Sequence, residues 1–300
     1  MSKFKKLNYL EEKNDKTFLA YIAPITFIVL LFWVIPIFIS IGLSFTEYNA
    51  LATPKFVGFK NYQNLFKNKI FLKSLINTIV LTITIVPGQT ILSFLMAAWL
   101  YKTKSCVATK FVRWVMLVPT LISLSVIGVV VRLLLNDSSS PINKMFLNLG
   151  IKDVLGTSKG AMTVIIVVSI LIRAGYYAVI FYSNMMDIPK TYLELADLDG
   201  INQFKIYKNI LVPLMKPSIL LIIFLGIIET MQKFDVIYTL TGGGPGNTGS
   251  MVPMIYLYLH GFKYGKIGFS MAIGNVMILL VGCISILQRK NISIKESSLF

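Results

Sequence analysis

Arg173 is the residue whose position most needs a chemical explanation. Thirteen uncharged residues lie on each side of it, at 160–172 and 174–186. A stretch of this length and polarity can span a membrane, where an arginine at the centre costs about 2.5–3.5 kcal/mol. The guanidinium therefore needs a partner or a water-filled cavity. Ser169 and Tyr176 lie at i−4 and i+3, so a helix places them on the same face as Arg173.

A second group of polar residues stands in the next apolar segment. Glu229 and Lys233 are four positions apart, with Thr230 beside the acid. Two interpretations are open. Glu229 pairs with Lys233 or Arg173 and only fastens two helices, or the whole set lines a passage for a polar solute: Ser169, Arg173, Tyr176, Glu229, Thr230 and Lys233. Two cations against one acid suit a substrate that carries a carboxylate or a phosphate.

Other candidate motifs lack the residues that their chemistry requires. In GGGPGNTGS (242–250), Gly244 and Gly249 have phosphate-loop spacing, but Ser250 stands where such a loop needs lysine, and an apolar helix precedes it. No HExxH, GxSxG or paired acidic metal motif is present, and His260 is the single histidine. Cys106 and Cys283 form no disulfide framework or metal-ligand spacing. We predict no catalytic residue, no metal and no cofactor, and hence a protein that is not an enzyme.

The elements that carry these residues are predicted to be membrane-spanning helices. Of the 300 residues, 55% are hydrophobic and 14% are charged, and the mean hydropathy is +0.73. So much apolar surface needs lipid as a solvent. Runs with few or no charges predict an all-α membrane protein with six transmembrane helices, at 18–45, 75–101, 112–135, 161–185, 213–234 and 266–288. Prolines at 24, 36, 87 and 119 are tolerated where neighbouring helices satisfy the freed backbone groups.

The distribution of basic residues predicts the topology. The net charge of +16 is spread between apolar blocks, which argues against a nucleic-acid partner. An even number of spans puts both termini on one side, and that side carries 16 basic residues against 10 on the other. Positive charge favours the cytoplasm, so we expect both termini there. The first apolar run is too long for a signal peptide and lacks a small-residue cleavage site, which predicts an uncleaved helix.

The predicted domains follow from this topology. A cytoplasmic N-terminal tail covers 1–17, a six-helix transmembrane domain covers 18–288, and a cytoplasmic C-terminal tail covers 289–300. Between the fourth and fifth helices lies a polar cytoplasmic loop at 187–213. Thr191 and Glu194 have capping-box spacing, and Gly200 can adopt the left-handed conformation that ends a helix. The loop is therefore predicted to be two short helices that meet at a bend, which by itself describes any well-capped connector.

The loop also carries a more specific pattern. Five of its residues reproduce the motif E-A-A-x3-G-x9-I-x-L-P, with Leu195 and Val212 as apolar departures: Glu194, Ala196, Gly200, Ile210 and Pro213. This pattern resembles the cytoplasmic loop by which permease subunits of ABC importers dock onto their ATPase. FVGFKNYQNLF (56–66), PINKMFLNLGI (141–151) and FDVIYTLTGGGPG (234–246) resemble further segments of the maltose-, lactose- and glycerol-phosphate-type permeases.

The resemblance implies a fold, partners and a location. The fold would be the type I ABC importer permease bundle in a bacterial cytoplasmic membrane. The partners would be a second homologous permease subunit, two copies of a cytoplasmic ATPase subunit, an extracellular solute-binding protein and a sugar substrate. The five motif residues would couple the permease to the ATPase. Tyr176 matches an aromatic sugar contact of the maltose-type permease, whereas Arg173 and Lys233 replace neutral residues there.

The main competing hypothesis is an ion-coupled secondary transporter. A proton relay needs intramembrane acidic residues, and Glu229 is the principal one in the predicted spans. The sequence also has no evident inverted repeat, a feature of many such transporters. Both features favour the importer permease over an ion-coupled transporter.

Overall fold

The described part of the chain is mostly helical. The computed structural model describes residues 21–103, 107–137, 139–148, 153–189, 191–198, 200–244 and 249–296. The helices within these ranges are α1 (Tyr21–Ser44), α2 (Lys60–Lys67), α3 (Lys69–Lys102), α4 (Val107–Leu121), α5 (Leu124–Asn136), α6 (Pro141–Asn148), α7 (Ser158–Met186), α8 (Thr191–Leu198), α9 (Gln203–Ile206), α10 (Tyr207–Leu214), α11 (Lys216–Met231), α12 (Asp235–Thr241), α13 (Pro253–Tyr258) and α14 (Ile267–Glu296). A short antiparallel ribbon pairs β1 (Thr46–Glu47) with β2 (Lys55–Phe56).

Four helices of the described chain are long and apolar enough to cross a membrane on their own. They are α1, α3, α7 and the Ile267–Leu287 part of α14. Two further pairs, α4 with α5 and α10 with α11, meet the same criteria jointly but bend by 90° and 65°. If each bent pair makes one crossing, the number of spans is the predicted six.

The third predicted helix, 112–135, is not continuous, and this part of the prediction was wrong. The helix is interrupted at 122–123, between α4 and α5. Pro119 lies in the last turn of α4, where it has no N–H to donate to the carbonyl four residues earlier. Ser123 then adopts an extended ψ of 130°, which turns the chain before α5 begins. Hydrophobicity alone does not reveal such a break, because both halves remain apolar.

The fifth predicted helix, 213–234, needs two corrections. It bends at Met215, whose φ and ψ are −87° and 2°, and it ends at Met231. Pro217, just past the bend, has no N–H to donate back to residue 213, so continuous helical hydrogen bonding is interrupted there. At the other end, Asp235 opens α12, where a carboxylate interacts favourably with the helix N-terminus. Residues 232–234 therefore form a short break.

Two π-helical turns each end shortly before a proline. One covers Leu30–Val34 within α1 and precedes Pro36, and the other covers Tyr207–Leu211 within α10 and precedes Pro213. A proline ring clashes with the carbonyl four residues earlier, and a wider turn relieves that clash. In both cases the residue before the proline donates its N–H to a carbonyl five positions back.

The described residues form two compact units. The first contains 21–65 together with His260–Asn275. In it, the side-chain amide of Asn61 donates to the carbonyls of Ser44 (2.8 Å) and Thr46 (2.9 Å). The hydroxyls of Tyr62 and Ser44 are 2.7 Å apart. The FVGFKNYQNLF segment thus satisfies carbonyl groups at the C-terminal end of α1, which its own helix leaves without partners.

The second unit contains Phe66–Leu259 and the residues from Val276 onward. Its core joins α3, α7 and α11 through fully or nearly fully buried side chains, namely Ala97, Leu100, Tyr177, Phe181, Met185 and Ile222, together with Met215 at the bend. Gly175 lies against the backbone of Met116 in α4, where a side chain would not fit. In lipid, close approach of helices at small residues is a principal source of packing energy.

Candidate functional site

The carboxylate of Glu229 joins three polar groups. Arg173 donates through Nε to Glu229 Oε1 at 2.7 Å, and Lys233 Nζ lies 3.7 Å from the same oxygen. The hydroxyl of Tyr177 donates to Glu229 Oε2 at 3.4 Å. These contacts connect α7 to α11 in the interior of the second unit. Glu229 therefore pairs with both cations, whereas the fastening interpretation of the sequence had it pair with Lys233 or Arg173.

Local helix geometry accounts for part of this arrangement. Arg173 and Tyr177 are four residues apart on α7 and so share a face. Glu229 is in the last turn of α11. Lys233 is not on that helix, contrary to the prediction, because it follows the helix end. Its N–H donates to the carbonyl of Thr230 at 3.3 Å, and this turn directs the ammonium back to the carboxylate.

The three charged side chains differ in their exposure. Those of Arg173 and Glu229 are 24% and 26% exposed, whereas that of Lys233 is 6% exposed. Formal charges sum to one excess positive charge. Removing one member of a buried ion cluster leaves an uncompensated charge. This costs more stability than replacing the whole cluster with apolar residues. The three residues therefore depend on one another electrostatically.

The remaining predicted pathway residues differ in their exposure. Tyr176 is 39% exposed, and its ring centroid lies 5.4 Å from that of Tyr177. Ser169 and Thr230 are 1% and 2% exposed. Among the described residues, no group hydrogen-bonds the Ser169 hydroxyl. In this conformation Arg173, Tyr176 and Glu229 are accessible, and both hydroxyls are enclosed.

The bend predicted at Gly200 is present. Helix α8 ends at Leu198, and Gly200 has a φ of +67°. The N–H of Ile201 donates to the carbonyl of Ala196 at 3.0 Å, which is the six-to-one hydrogen bond of a Schellman motif. Such a motif ends the helix sharply, and α9 begins at Gln203. The helix–bend–helix shape of the loop is therefore confirmed.

The five motif residues have different environments. Ala196 is buried in the last turn of α8, Ile210 is half-buried in the π-helical turn, and Pro213 is exposed in α10. The side chain of Glu194, and with it the predicted capping box, lies outside the part that the structure describes, as do the predicted N-terminal tail and residues 297–300 of the predicted C-terminal tail.

The glycine-rich segment after α12 forms a turn. Gly242, Gly243 and Gly244 all have positive φ, and residues 245–248 lie outside the described ranges. Ser250 is fully buried, and its hydroxyl lies 2.6 Å from that of Thr241. A helix precedes the segment, so it lacks the strand that a phosphate-binding loop follows. Within the described ranges, no three His, Cys, Asp or Glu side chains come close enough to hold a metal ion.

Comparison with known proteins identifies the family. No family model matches the chain. Its fold matches that of a solved bacterial alginate ABC transporter in complex with alginate pentasaccharide-bound periplasmic protein, with a TM-score of 0.81 over 93% of this chain and 95% of that one at 20% identity. The probable ABC transporter permease protein YurN of Bacillus subtilis is 28% identical over 92% of this chain and 97% of its own length. The multiple sugar-binding transport system permease protein MsmF of Streptococcus mutans is 29% identical over 90% of this chain and 92% of its own length. This chain is a homologue of ABC transporter permeases.

The family and fold class predicted from the loop motif are thus confirmed. The permease matches its relatives over nearly its whole length, so the likeness covers the spans as well as the loop. The relatives are transport permeases, and the apolar helices make this permease a multi-pass membrane protein.

Two polar residues of the permease were missed in the sequence. Tyr177 contacts Glu229, and its position four residues after Arg173 was a usable signal. Gln89 is 2% exposed in the middle of α3, and its amide nitrogen lies against Gly226 of α11. A glutamine within an otherwise apolar span was the signal there, because intramembrane polar residues face the protein interior.

Proposed function

We propose that this permease forms, with a second homologous permease subunit, the translocation pathway of a binding-protein-dependent importer for a sugar or oligosaccharide. The observation that carries the proposal is the sharp bend at Gly200, in the polar loop at 187–213 that follows α7 and extends into α10. The name of MsmF, a multiple sugar-binding transport system permease, supports the substrate class. The neighbouring transporter was solved with a pentasaccharide-bound periplasmic protein, which supports an extracellular solute-binding protein as a partner.

The loop at 187–213 would couple the permease to its ATPase. We assign Glu194, Ala196, Gly200, Ile210 and Pro213 to this contact, with two ATPase copies serving the two permease subunits. The Schellman bond from Ile201 to Ala196 fixes the corner at the end of α8. A rigid corner transmits a movement of the ATPase to the spans as a rigid-body rotation, whereas a slack connector would absorb it. Both termini and this loop would then face the cytoplasm of a bacterial cell.

The charged cluster would lie on the substrate pathway. Arg173 and Glu229 are partly accessible and can exchange hydrogen bonds with sugar hydroxyls, and the exposed ring of Tyr176 offers a face for stacking. We propose that Ser169 and Thr230, buried here, join the pathway when α7 and α11 separate. The buried ammonium of Lys233 would hold the Glu229 carboxylate in place.

An ion-coupled mechanism is the weaker alternative. Its proton carrier would have to be Glu229, because this is the only carboxylate within the spans of the described chain. Arg173 and Lys233 both contact Glu229 Oε1. A relay passes a proton between several intramembrane acidic groups, and the spans of the described chain hold no second one.

Transport in vesicles tests the proposal. The permease, co-expressed with its candidate partner permease and ATPase, is reconstituted with the binding protein outside and ATP inside. We expect uptake that requires ATP and binding protein and that survives an uncoupler. We also expect no ATP hydrolysis by the purified permease alone. Uptake driven by an ion gradient without ATP would overturn the proposal.

A further inference from the structure

An open groove of about 360 Å³ lies between the end of α3 and the start of α10. It is separate from the charged cluster and from the bend at Gly200. Six of its lining residues are Leu95, Trp99 and Lys102 of α3, and Tyr207, Lys208 and Val212 of α10.

The walls of the groove are apolar and held in place. Leu95 and Trp99 are 59% and 55% exposed, although both are large and hydrophobic. Tyr207 fixes α10 against α3, because its hydroxyl donates to the carbonyl of Ala98 at 3.3 Å. Phe94, also in the lining, contacts Phe181 of the core edge-on at 5.7 Å. The groove is thus preformed, and its hydrophobic walls lie on the outside of the core.

One end of the groove is positively charged. Lys102 is the last residue of the spanning helix α3, and Lys208 stands opposite on α10. Both are exposed, and neither forms an ion pair with a carboxylate of the described chain. A lysine at the end of a spanning helix sits at the level of the lipid headgroups. From Lys102 back to Phe94 the helix extends about 12 Å towards the membrane interior.

We propose that this groove binds an anionic phospholipid, with the phosphate between Lys102 and Lys208 and an acyl chain along Leu95 and Trp99. Charge complementarity selects the occupant, since two unpaired ammonium groups at headgroup depth favour a lipid of net negative charge over a zwitterionic one. The apolar walls accommodate the chain but would not retain a soluble phosphate. The proposal depends on membrane insertion and is independent of the transported substrate.

The position of the groove gives the lipid a structural effect. Tyr207 and Lys208 begin α10, within the last part of the proposed coupling loop at 187–213. A lipid that contacts both α3 and α10 would stabilise the position of α10 relative to the span that precedes the bent pair. Its loss should loosen this junction without altering the Arg173–Glu229 contact.

Native mass spectrometry of the assembled transporter tests the site. The complex is purified from nanodiscs that contain equal amounts of phosphatidylglycerol and phosphatidylcholine, and the lipids retained are counted. We expect a preference for phosphatidylglycerol that falls by about thirtyfold in Lys102→Gln/Lys208→Gln, the change expected from two lysines at an anionic surface. The matched control is Lys110→Gln/Lys216→Gln, two exposed lysines outside the groove, which should retain the preference. An unchanged preference in the first variant would overturn the proposal.

A second measurement leaves both lysines intact and identifies the occupant directly. Leu95→p-benzoylphenylalanine places a photo-crosslinker in the groove wall. After irradiation of the complex in the same nanodiscs, adducts with phosphatidylglycerol support the proposal. Adducts mainly with a protein subunit, or with the two lipids in equal amounts, contradict it.

Discussion

Arg173 and Glu229, 56 positions apart in the sequence, are joined by a 2.7 Å contact between Nε and Oε1. The contact connects α7 to α11 within the second unit. It also gives Lys233, only 6% exposed, a carboxylate that is shared with the arginine. Any experiment on one of these residues must therefore account for the other two.

The first prediction concerns the single variant Arg173→Ala. It leaves Glu229 with Lys233 as its remaining cation, 3.7 Å away. We expect a loss of stability of about 3 kcal/mol, the lower end of the range for breaking a buried pair, because the side chains are about a quarter exposed. The measurement is thermal unfolding of the detergent-solubilised complex. Tyr192→Phe, at an exposed position outside the cluster, is the control.

The second prediction separates a fastening role from a pathway role. Replacing Arg173 and Glu229 by leucine is insufficient, because it strands the buried ammonium of Lys233. The triple variant Arg173→Leu/Glu229→Leu/Lys233→Met removes the whole cluster at similar volume, and such replacements are often neutral or stabilising. We expect it to regain the stability of the wild type but to transport poorly or with altered substrate preference. Normal uptake by a stable triple variant would refute the pathway assignment.

The third prediction concerns the bend in the coupling loop. Gly200 has a φ of +67°, which proline cannot adopt and which β-branched residues strongly disfavour. Gly200→Pro and Gly200→Val should abolish uptake and co-purification of the ATPase, while the chain remains in the membrane. Gly200→Asn is the matched control, because asparagine tolerates the left-handed region.

Glu194→Ala tests the same contact from its charged side and should also reduce ATPase retention. Each variant is affinity-purified and its bound ATPase is quantified. If Gly200→Pro and Glu194→Ala both retain the ATPase and full transport, the loop is only a connector.

The fourth prediction uses two glycines with different surroundings. A side chain at Gly175 would collide with the backbone of Met116, whereas Gly42 has no heavy atom of another segment within 4 Å. Gly175→Ala should lower stability by about 1–3 kcal/mol, the usual cost of overpacking. Gly42→Ala should have no such effect. The unfolding temperatures of the two variants, measured in the same detergent, check the prediction, and equal values would contradict the close contact of α7 with α4.

The fifth prediction concerns pH. Burial, with a smaller contribution from the positive charge of Lys266, lowers the pKa of His260 to about 4. In the unfolded chain the His260 imidazole has a pKa near 6.5, so the unfolded state binds a proton at a higher pH than the folded state does. The contribution of His260 to stability is therefore complete above pH 6.5 and is lost as the pH falls towards 4. Unfolding temperatures measured from pH 7 to pH 4.5 should fall less in His260→Gln than in the wild type. An identical pH dependence in both would show that His260 is already solvated.

Much of the site could be predicted from local sequence, and the part that could not was non-local. The bend at Gly200 follows from one residue that tolerates positive φ beside a helical segment. The grouping of Ser169, Arg173 and Tyr176 follows from the helical repeat. The helix break at Ser123 was missed because both sides of it are equally hydrophobic. Lys233 was assigned to a helix because the apolar pattern continues past Met231, while the backbone turns there.

The sequence by itself therefore determined the membrane class, the approximate positions of the spans and the family, since these depend on hydrophobic runs and on closely spaced motifs. Only the tertiary structure decided that Glu229 contacts Arg173, Tyr177 and Lys233 together, and that Ser169 and Thr230 are enclosed. Helical periodicity specifies which residues share a face, but not which face a distant helix meets. In lipid, where apolar surfaces lack a strong hydrophobic drive to associate, close packing at small residues such as Gly175 and interhelical polar contacts make that choice.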